Sequence, residues 1–405
     1  MKTIVTAVIA ATALGSAVHA QDMTGAQMFR QNWTSAETAS DGLGPIFNEA
    51  SCHACHWFGG GARIRVRPDG EVAGAGVLLR HTFVDGKGDP HYGVQLQNKA
   101  VDGVEAEGVA DLSAVQVADG LTRFLASVRF ASGPGRTAGI TMSLRAAPAL
   151  DSTALVAQVS DAAVIRGADS QDKNKDGISG RVHLLQVPGE KPKIGRFNWK
   201  ATAAKVEDQI ANALWFDMGL TSSAHRAPQG ECTSRQLDCL KTAGSLSRDL
   251  APDFDNKEIV SLADHVRSLV GNPKVPEQPR SFVDAGCNSC HTPHMETEDG
   301  GSVALFSNLL LHDMGDGLTS YGGEGSALPT EWRTTPLVGF RGQLPDHRYL
   351  HDGRAANIDE AIRWHGGEAQ RSRDAYIALP ASEKLKLTSF VLALMSSMPV
   401  PPKGD

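Results

Sequence analysis

Two five-residue stretches decide how this chain is read: Cys52-His53-Ala54-Cys55-His56 and Cys287-Asn288-Ser289-Cys290-His291. In each, two thiols flank two residues and a histidine follows at once. That spacing suits attachment of a c-type haem: the thiols form thioethers with the vinyl groups and the adjacent imidazole becomes an axial iron ligand. A zinc site draws two close cysteine pairs into one tetrahedron, whereas these pairs lie far apart in sequence. A dithiol redox pair has no use for the trailing histidine. The motifs therefore predict two covalent c-type haems, held by Cys52, Cys55 and His56 and by Cys287, Cys290 and His291.

Of the six cysteines, only Cys232 and Cys239 then remain. A local disulfide is the plain reading for an exported chain, and closing so short a loop is worth about 2–3 kcal/mol. Export is predicted by residues 1–20. Lys2 gives a positive start, Ile4 to Leu14 an apolar run, and Val18-His19-Ala20 a small-residue cleavage site, so the mature chain would begin at Gln21 in the periplasm. No later stretch is long and apolar enough to span a bilayer. The net charge of −7 leaves no basic excess for nucleic acid. At 405 residues the chain is comfortable for two domains.

Outward from the two motifs, the sequence reads as a duplication. Gly44-Pro45-Ile46-Phe47 and Ser281-Phe282-Val283 are taken as short helical leads into the motifs. Each half ends in a helix with one apolar face, Leu262, His265, Val266 and Leu269 in the first and Leu387, Phe390, Val391 and Leu394 in the second. Ser382 is the expected N-cap of the last helix. Arg145-Ala-Ala-Pro148 and Arg333-Thr-Thr-Pro336 open a third repeated element. Trp199 is then followed by Val206 and Ile210, and His351 by Ile358 and Ile362, seven and eleven residues later in both. The expected fold is mainly α: a cytochrome c-like domain over 21–272, a Pro-rich linker at 273–280 and a second such domain over 281–405. A β-rich insertion is expected within the first, at about 62–143.

The duplication gives the sharpest functional expectation. His365 lies fourteen residues after His351, and the same position in the first half is Ala213. An imidazole can close the second iron, whereas alanine cannot ligate. One haem is therefore expected to be six-coordinate and to move electrons, the other open and able to do chemistry. Met314 and His312 compete with His365; His81, His91 and Met218 are residues that can close the first iron. Peroxide chemistry at an open haem needs a distal acid–base, for which Asp217 is the candidate. Trp199 is placed to relay electrons. Asp172, Asn174 and Asp176, followed by Gly177, form the first half of a calcium loop, but His183 stands where the bidentate Glu belongs.

These residues resemble the family of di-haem oxidoreductases grouped with peroxidases, also called thiol oxidoreductases. The most specific stretches are Gly44-Pro-Ile-Phe-Asn48, Asp89-Pro-His-Tyr-Gly-Val-Gln-Leu-Gln97, Asp176-Gly-Ile-Ser-Gly-Arg181, Leu309-Leu-Leu-His-Asp-Met-Gly315, Leu350-His-Asp-Gly-Arg354 and Trp364-His365-Gly-Gly-Glu368. The group is distantly similar to bacterial di-haem cytochrome c peroxidases and to the methylamine-utilisation di-haem enzyme, which oxidises tryptophans on a partner protein. The resemblance implies a peroxidatic N-terminal haem, an electron-handling C-terminal haem, and a calcium ion between them. It also implies a small periplasmic redox protein or a protein substrate as partner. The relatives place Met or Tyr where His365 stands, so the resemblance implies a lower potential at the second iron here. The relatives' inter-haem Trp precedes a Gln by ten residues, as Trp199 precedes Gln209; their distal Glu lies twenty residues after the Trp, against eighteen for Asp217. A non-catalytic electron carrier and a ligand-binding sensor are the competing functions.

Overall fold

The computed structural model describes residues 23–33, 42–245 and 251–401. The expected signal peptide lies outside them. Helix makes up 30% of the structure and strand 21%, in short helices and several small sheets. The mainly α expectation is corrected accordingly: the fold is mixed. The cause is local. The chain carries 42 Gly and 20 Pro, which break helices early, and its longest described helix is the 14-residue Ala381–Leu394. Short two-stranded antiparallel pairs lie in the second half, His294–Glu296 with Ser302–Ala304 and Leu311–Asp313 with Glu331–Arg333.

The insertion is β as expected. Arg63–Val66 pairs with Val72–Ala75 around the Pro68-Asp69-Gly70 turn, Gly108–Gln116 with Thr122–Phe130, and Val77–Thr82 with Thr141–Ala146. The last strand carries the β region past its expected end at 143, as far as Arg145 and Ala146. These strands alternate, so that Leu79, Leu144 and Phe124 fill a core of their own.

The two terminal helices form as the apolar spacing requires. Leu262 and Val266 are buried on Asn256–Ser268, and Leu387, Phe390, Val391 and Leu394 on Ala381–Leu394. The latter starts one residue before Ser382, with Pro380 at the N-cap. The Arg280–Asp284 helix leads into the second motif. The lead into the first is instead a strand: Ile46–Phe47 pairs with Lys99–Ala100. One core cluster draws on both halves, from Met28 and Leu262 to Phe282 and Leu394. A buried ion pair ties them further. Asp151 bonds the Arg341 guanidinium at 2.7 Å and accepts the backbone N–H groups of Phe340 and Arg341 at 3.0 Å each.

Candidate functional site

Each motif opens onto an internal cavity. The first has a volume of about 380 Å³ and is lined by Cys52, Cys55 and His56; the second, about 260 Å³, is lined by Cys287, Cys290 and His291. Local capping sets both motifs. Ser51 caps the Cys52–Cys55 turn by accepting from the Ala54 N–H, and the His56 N–H bonds the Cys52 carbonyl at 2.8 Å. In the second motif Gly286 takes a left-handed φ of 78°, and the His291 N–H bonds the Cys287 carbonyl at 3.0 Å.

The histidines fit an iron–porphyrin. His56 Nδ1 bonds the Pro148 carbonyl at 2.9 Å, His291 Nδ1 the Phe306 carbonyl at 2.9 Å and His365 Nδ1 the Ala361 carbonyl at 2.8 Å. A carbonyl only accepts, so each Nδ1 carries the proton and each Nε2 keeps a lone pair. No described residue bonds any of the three Nε2 atoms. Burial pushes His56 and His291 down to about 4 and lowers His365 as well, so all three are neutral at neutral pH, the form in which an imidazole can bind a metal. Burial also raises the Cys52 thiol to about 12 and the Cys287 thiol to about 11, which leaves them poor thiolates. The four motif cysteines are free, while Cys232 and Cys239 are joined in a disulfide.

The repeat seen in sequence is a repeat in space. Val206, Ile210 and Ala213 line the first cavity from the Val206–Met218 helix; Ile358 and Ile362 line the second from Ile358–Arg363, and His365 lines it from just beyond that helix, which ends two residues short of the position expected to lie on it. Trp199 lines both cavities, its indole N–H held on the Ala146 carbonyl at 2.7 Å.

The other candidate side chains lie in different surroundings. His81 sits on the opposite face of its strand from Leu78 and Arg80, buried against Tyr92 and Phe130. His91 bonds Arg235 instead. Met218 does line the first cavity. In the second, both ring nitrogens of His312 are taken, Nδ1 by Glu368 at 2.6 Å and Nε2 by the Asn308 side chain at 3.0 Å; Met314 lines the wall.

Asp217 faces the first cavity and is placed by a close approach of backbones. Gly219 ends its helix at φ 66°, and a Cβ there would meet the Gly44 Cα at 2.7 Å. The segment after Gly44 then lays the Asn48 N–H on the Asp217 carbonyl at 2.8 Å. Burial raises the Asp217 carboxyl to about 6, against the opposing pull of the Gln95 hydrogen bond and the Arg80 charge. Gln95 Nε2 donates to Asp217 Oδ1 at 2.8 Å and to Asn48 at 2.7 Å.

Several residues of this wall were not singled out from sequence as site residues. Arg80, Gln95, Arg145 and Glu324 all line the first cavity. Glu324 bonds Arg145 at 2.6 Å and lies 3.8 Å from Arg80. Burial pushes its carboxyl up, but the two guanidiniums outweigh this and hold it at about 2. Gln97 lies behind, bridging the Phe216 carbonyl and Glu231 at 2.9 and 3.1 Å. The sequence signal was the alternation Val94-Gln95-Leu96-Gln97, in which both amides are buried. Gln209 also lines the cavity, with a buried Oε1 that has no hydrogen-bond partner among the described residues.

The proposed calcium loop closes on itself. Asp172 accepts from the Gly177 N–H, Asp176 from the Ile178 N–H, and Asn174 donates to Asp176 at 2.9 Å. Among the described residues no group of three or more His, Cys, Asp or Glu side chains is arranged to hold a metal ion.

Residues 2–75 and 136–394 match the family described as "di-haem oxidoreductase, putative peroxidase". The chain belongs to the di-haem oxidoreductase family. No curated protein and no solved structure matches it. Two haems and oxidoreductase chemistry come with the family, and each of the two cavities carries one Cys-x-x-Cys-His turn on its wall. The family match skips residues 76–135, the segment that contributes Leu78, Arg80 and Gln95 to the first cavity. No described helix is long and apolar enough to cross a membrane.

Proposed function

We propose that this di-haem oxidoreductase is a periplasmic peroxidase whose first haem meets peroxide and whose second handles electrons. Both haems are c-type, tethered by Cys52 and Cys55 and by Cys287 and Cys290. His56 is the protein ligand of the first iron; His291 and His365 hold the second from two sides. One observation supports the reading: His365, two residues past the end of the Ile358–Arg363 helix, lines the second cavity with its Nδ1 held on a backbone carbonyl, while Ala213, at the matching sequence position, lines the first and offers no imidazole.

A bound haem iron supplies one-electron redox chemistry and, where a coordination face is open, activation of the peroxide O–O bond. The residues around it manage protons. Asp217, ionised above about pH 6, accepts the proton of the near peroxide oxygen and returns it to the far one, which leaves as water. The full turnover consumes one peroxide, two electrons and two protons and yields two waters. Gln95 holds Asp217 Oδ1 and so aims the carboxylate. Arg80 and Arg145, with Glu324 between them, leave net positive charge on the wall where negative charge develops on oxygen. Trp199, in the wall shared by both cavities, is the electron relay. The partner is a small periplasmic redox protein that delivers electrons, or a protein substrate that gives them up directly.

Met218 in the first cavity wall favours a second reading, a di-haem electron carrier in which its thioether closes the first iron. Electron paramagnetic resonance of the resting and half-reduced holoprotein, with peroxide turnover on an artificial donor, separates the two. A high-spin signal with turnover supports the peroxidase. Two low-spin haems in both states, with no turnover, overturn it.

A further inference from the structure

A third cavity, of about 360 Å³, lies between the insertion and the second half, and nothing in the peroxide reading uses it. Its walls carry three guanidiniums, those of Arg123, Arg136 and Arg354, and one carboxylate, that of Asp352. Asp352 is already committed: its Oδ2 bonds Arg354 Nε at 2.7 Å. Arg136 donates to a single backbone carbonyl, that of Ile140 at 2.9 Å. The Arg123 guanidinium makes no hydrogen bond or ion pair with any described residue, while its backbone sits in the strand paired with Gly108–Gln116. Its guanidinium lies 5.6 Å from the centre of the Trp364 ring, and Arg354 lies 4.7 Å from the same ring.

Two cations over one indole repel each other, and in a chain of net charge −7 such a cluster is not a by-product of a basic surface. Guanidiniums present forked donors that match oxoanions in bidentate fashion. Arg136 and Tyr321 line the cavity and are themselves exposed to solvent, so this site is reached from the surface rather than through either of the other two cavities. Its inner wall is His351, which also lines the second haem cavity.

We propose that this cavity binds a small oxoanion, a carboxylate or a phosphate, through Arg123 and Arg136, with the Arg354–Asp352 pair as its floor. The site is independent of the peroxide reading, because none of these residues touches the first cavity.

The test is calorimetric titration of the full-length, haem-loaded protein with sodium citrate and, separately, with sodium phosphate, at an ionic strength fixed with chloride. Saturable one-to-one binding of either anion is expected, and the tighter of the two identifies the ligand as carboxylate or phosphate. Arg123→Gln and Arg136→Gln should each weaken it about tenfold or more, the usual loss of a charge-assisted hydrogen bond. Arg67→Gln, in a distant hairpin where Arg67 pairs with Glu71, should bind as the parent does. An unchanged haem absorption spectrum checks that the variants are folded. Absence of saturable binding for both anions, or parental affinity in the Arg123→Gln/Arg136→Gln double variant, overturns the proposal.

Discussion

The two haem cavities share a plan and differ in what faces inward. Both are built from a C-x-x-C-H turn, a histidine fixed through Nδ1 by a backbone carbonyl, and a helix with β-branched residues at matching positions, Val206 and Ile210 in the first and Ile358 and Ile362 in the second. The second adds His365. The first replaces that imidazole with Ala213 and gathers Asp217, Gln95, Arg80 and Glu324 instead. The walls differ in what they suit: an imidazole suits electron storage, and a polar wall with a carboxyl raised to about 6 suits proton transfer.

Exchanging that single position should have the largest effect. Ala213→His is expected to give a second low-spin haem and to cut peroxide turnover by about 100-fold or more, the scale on which loss of a catalytic group acts. His365→Ala should do the reverse at the other iron and convert a low-spin signal to high-spin. Resonance spectra of both variants check this. Unchanged spin states in both would break the comparison.

Next comes the proton. Asp217→Asn should lower peroxide turnover by about 100-fold. Because burial raises the folded pKa to about 6, the parent's turnover should climb with pH through that value and the variant's should not. Arg80 and Gln95 hold the pKa down, while burial holds it up; Glu231, itself raised to about 7 by burial, is the neighbouring acid. The sign for stability is opposite to that for activity. A carboxyl whose folded pKa is raised contributes most at low pH and loses that contribution as pH rises through 6. Asp217→Asn should therefore melt no lower than the parent at pH 7–8, which thermal denaturation checks.

How much of this could be read beforehand follows from the range of each interaction. The two motifs, the disulfide and the His365/Ala213 contrast are local spacings, and sequence carries them. The paired apolar helices were legible for the same reason. The mainly α expectation failed because the short strands 294–296 and 302–304, or 311–313 and 331–333, are only two-stranded and leave too little alternation to detect. Ile46–Phe47 became a strand through a partner some fifty residues away, Lys99–Ala100. Arg80, Gln95 and Glu324 converge on Asp217's cavity from three separate segments. Nothing in their own neighbourhoods marks Glu324 among 46 acidic residues.

Asp151 teaches the same lesson at the seam between the halves. Its partner Arg341 is 190 residues away, and both side chains are at most 4% exposed. Asp151→Ala should cost about 3–5 kcal/mol in chemical denaturation, because it leaves a buried guanidinium unpaired. It leaves both iron ligand sets intact, so spin states of the folded fraction should match the parent. A loss of stability confined to one half would show that the cavities fold separately.

The smallest expected effect is at Gln95, and it tests whether the insertion takes part in the chemistry or only covers it. Gln95→Leu removes the hydrogen bond that lowers the Asp217 pKa. The rising limb of the pH–rate profile should move to higher pH, and turnover near pH 6 should fall by less than about tenfold. The Asn48 side chain also loses a partner, at a cost of about 1–3 kcal/mol. A purely structural role would lower the melting temperature and leave the limb where it is. A shifted limb shows that a residue outside the family match sets the working pH of the first cavity. Gln95→Asn, which keeps the donor but withdraws it by one methylene, should fall between the two.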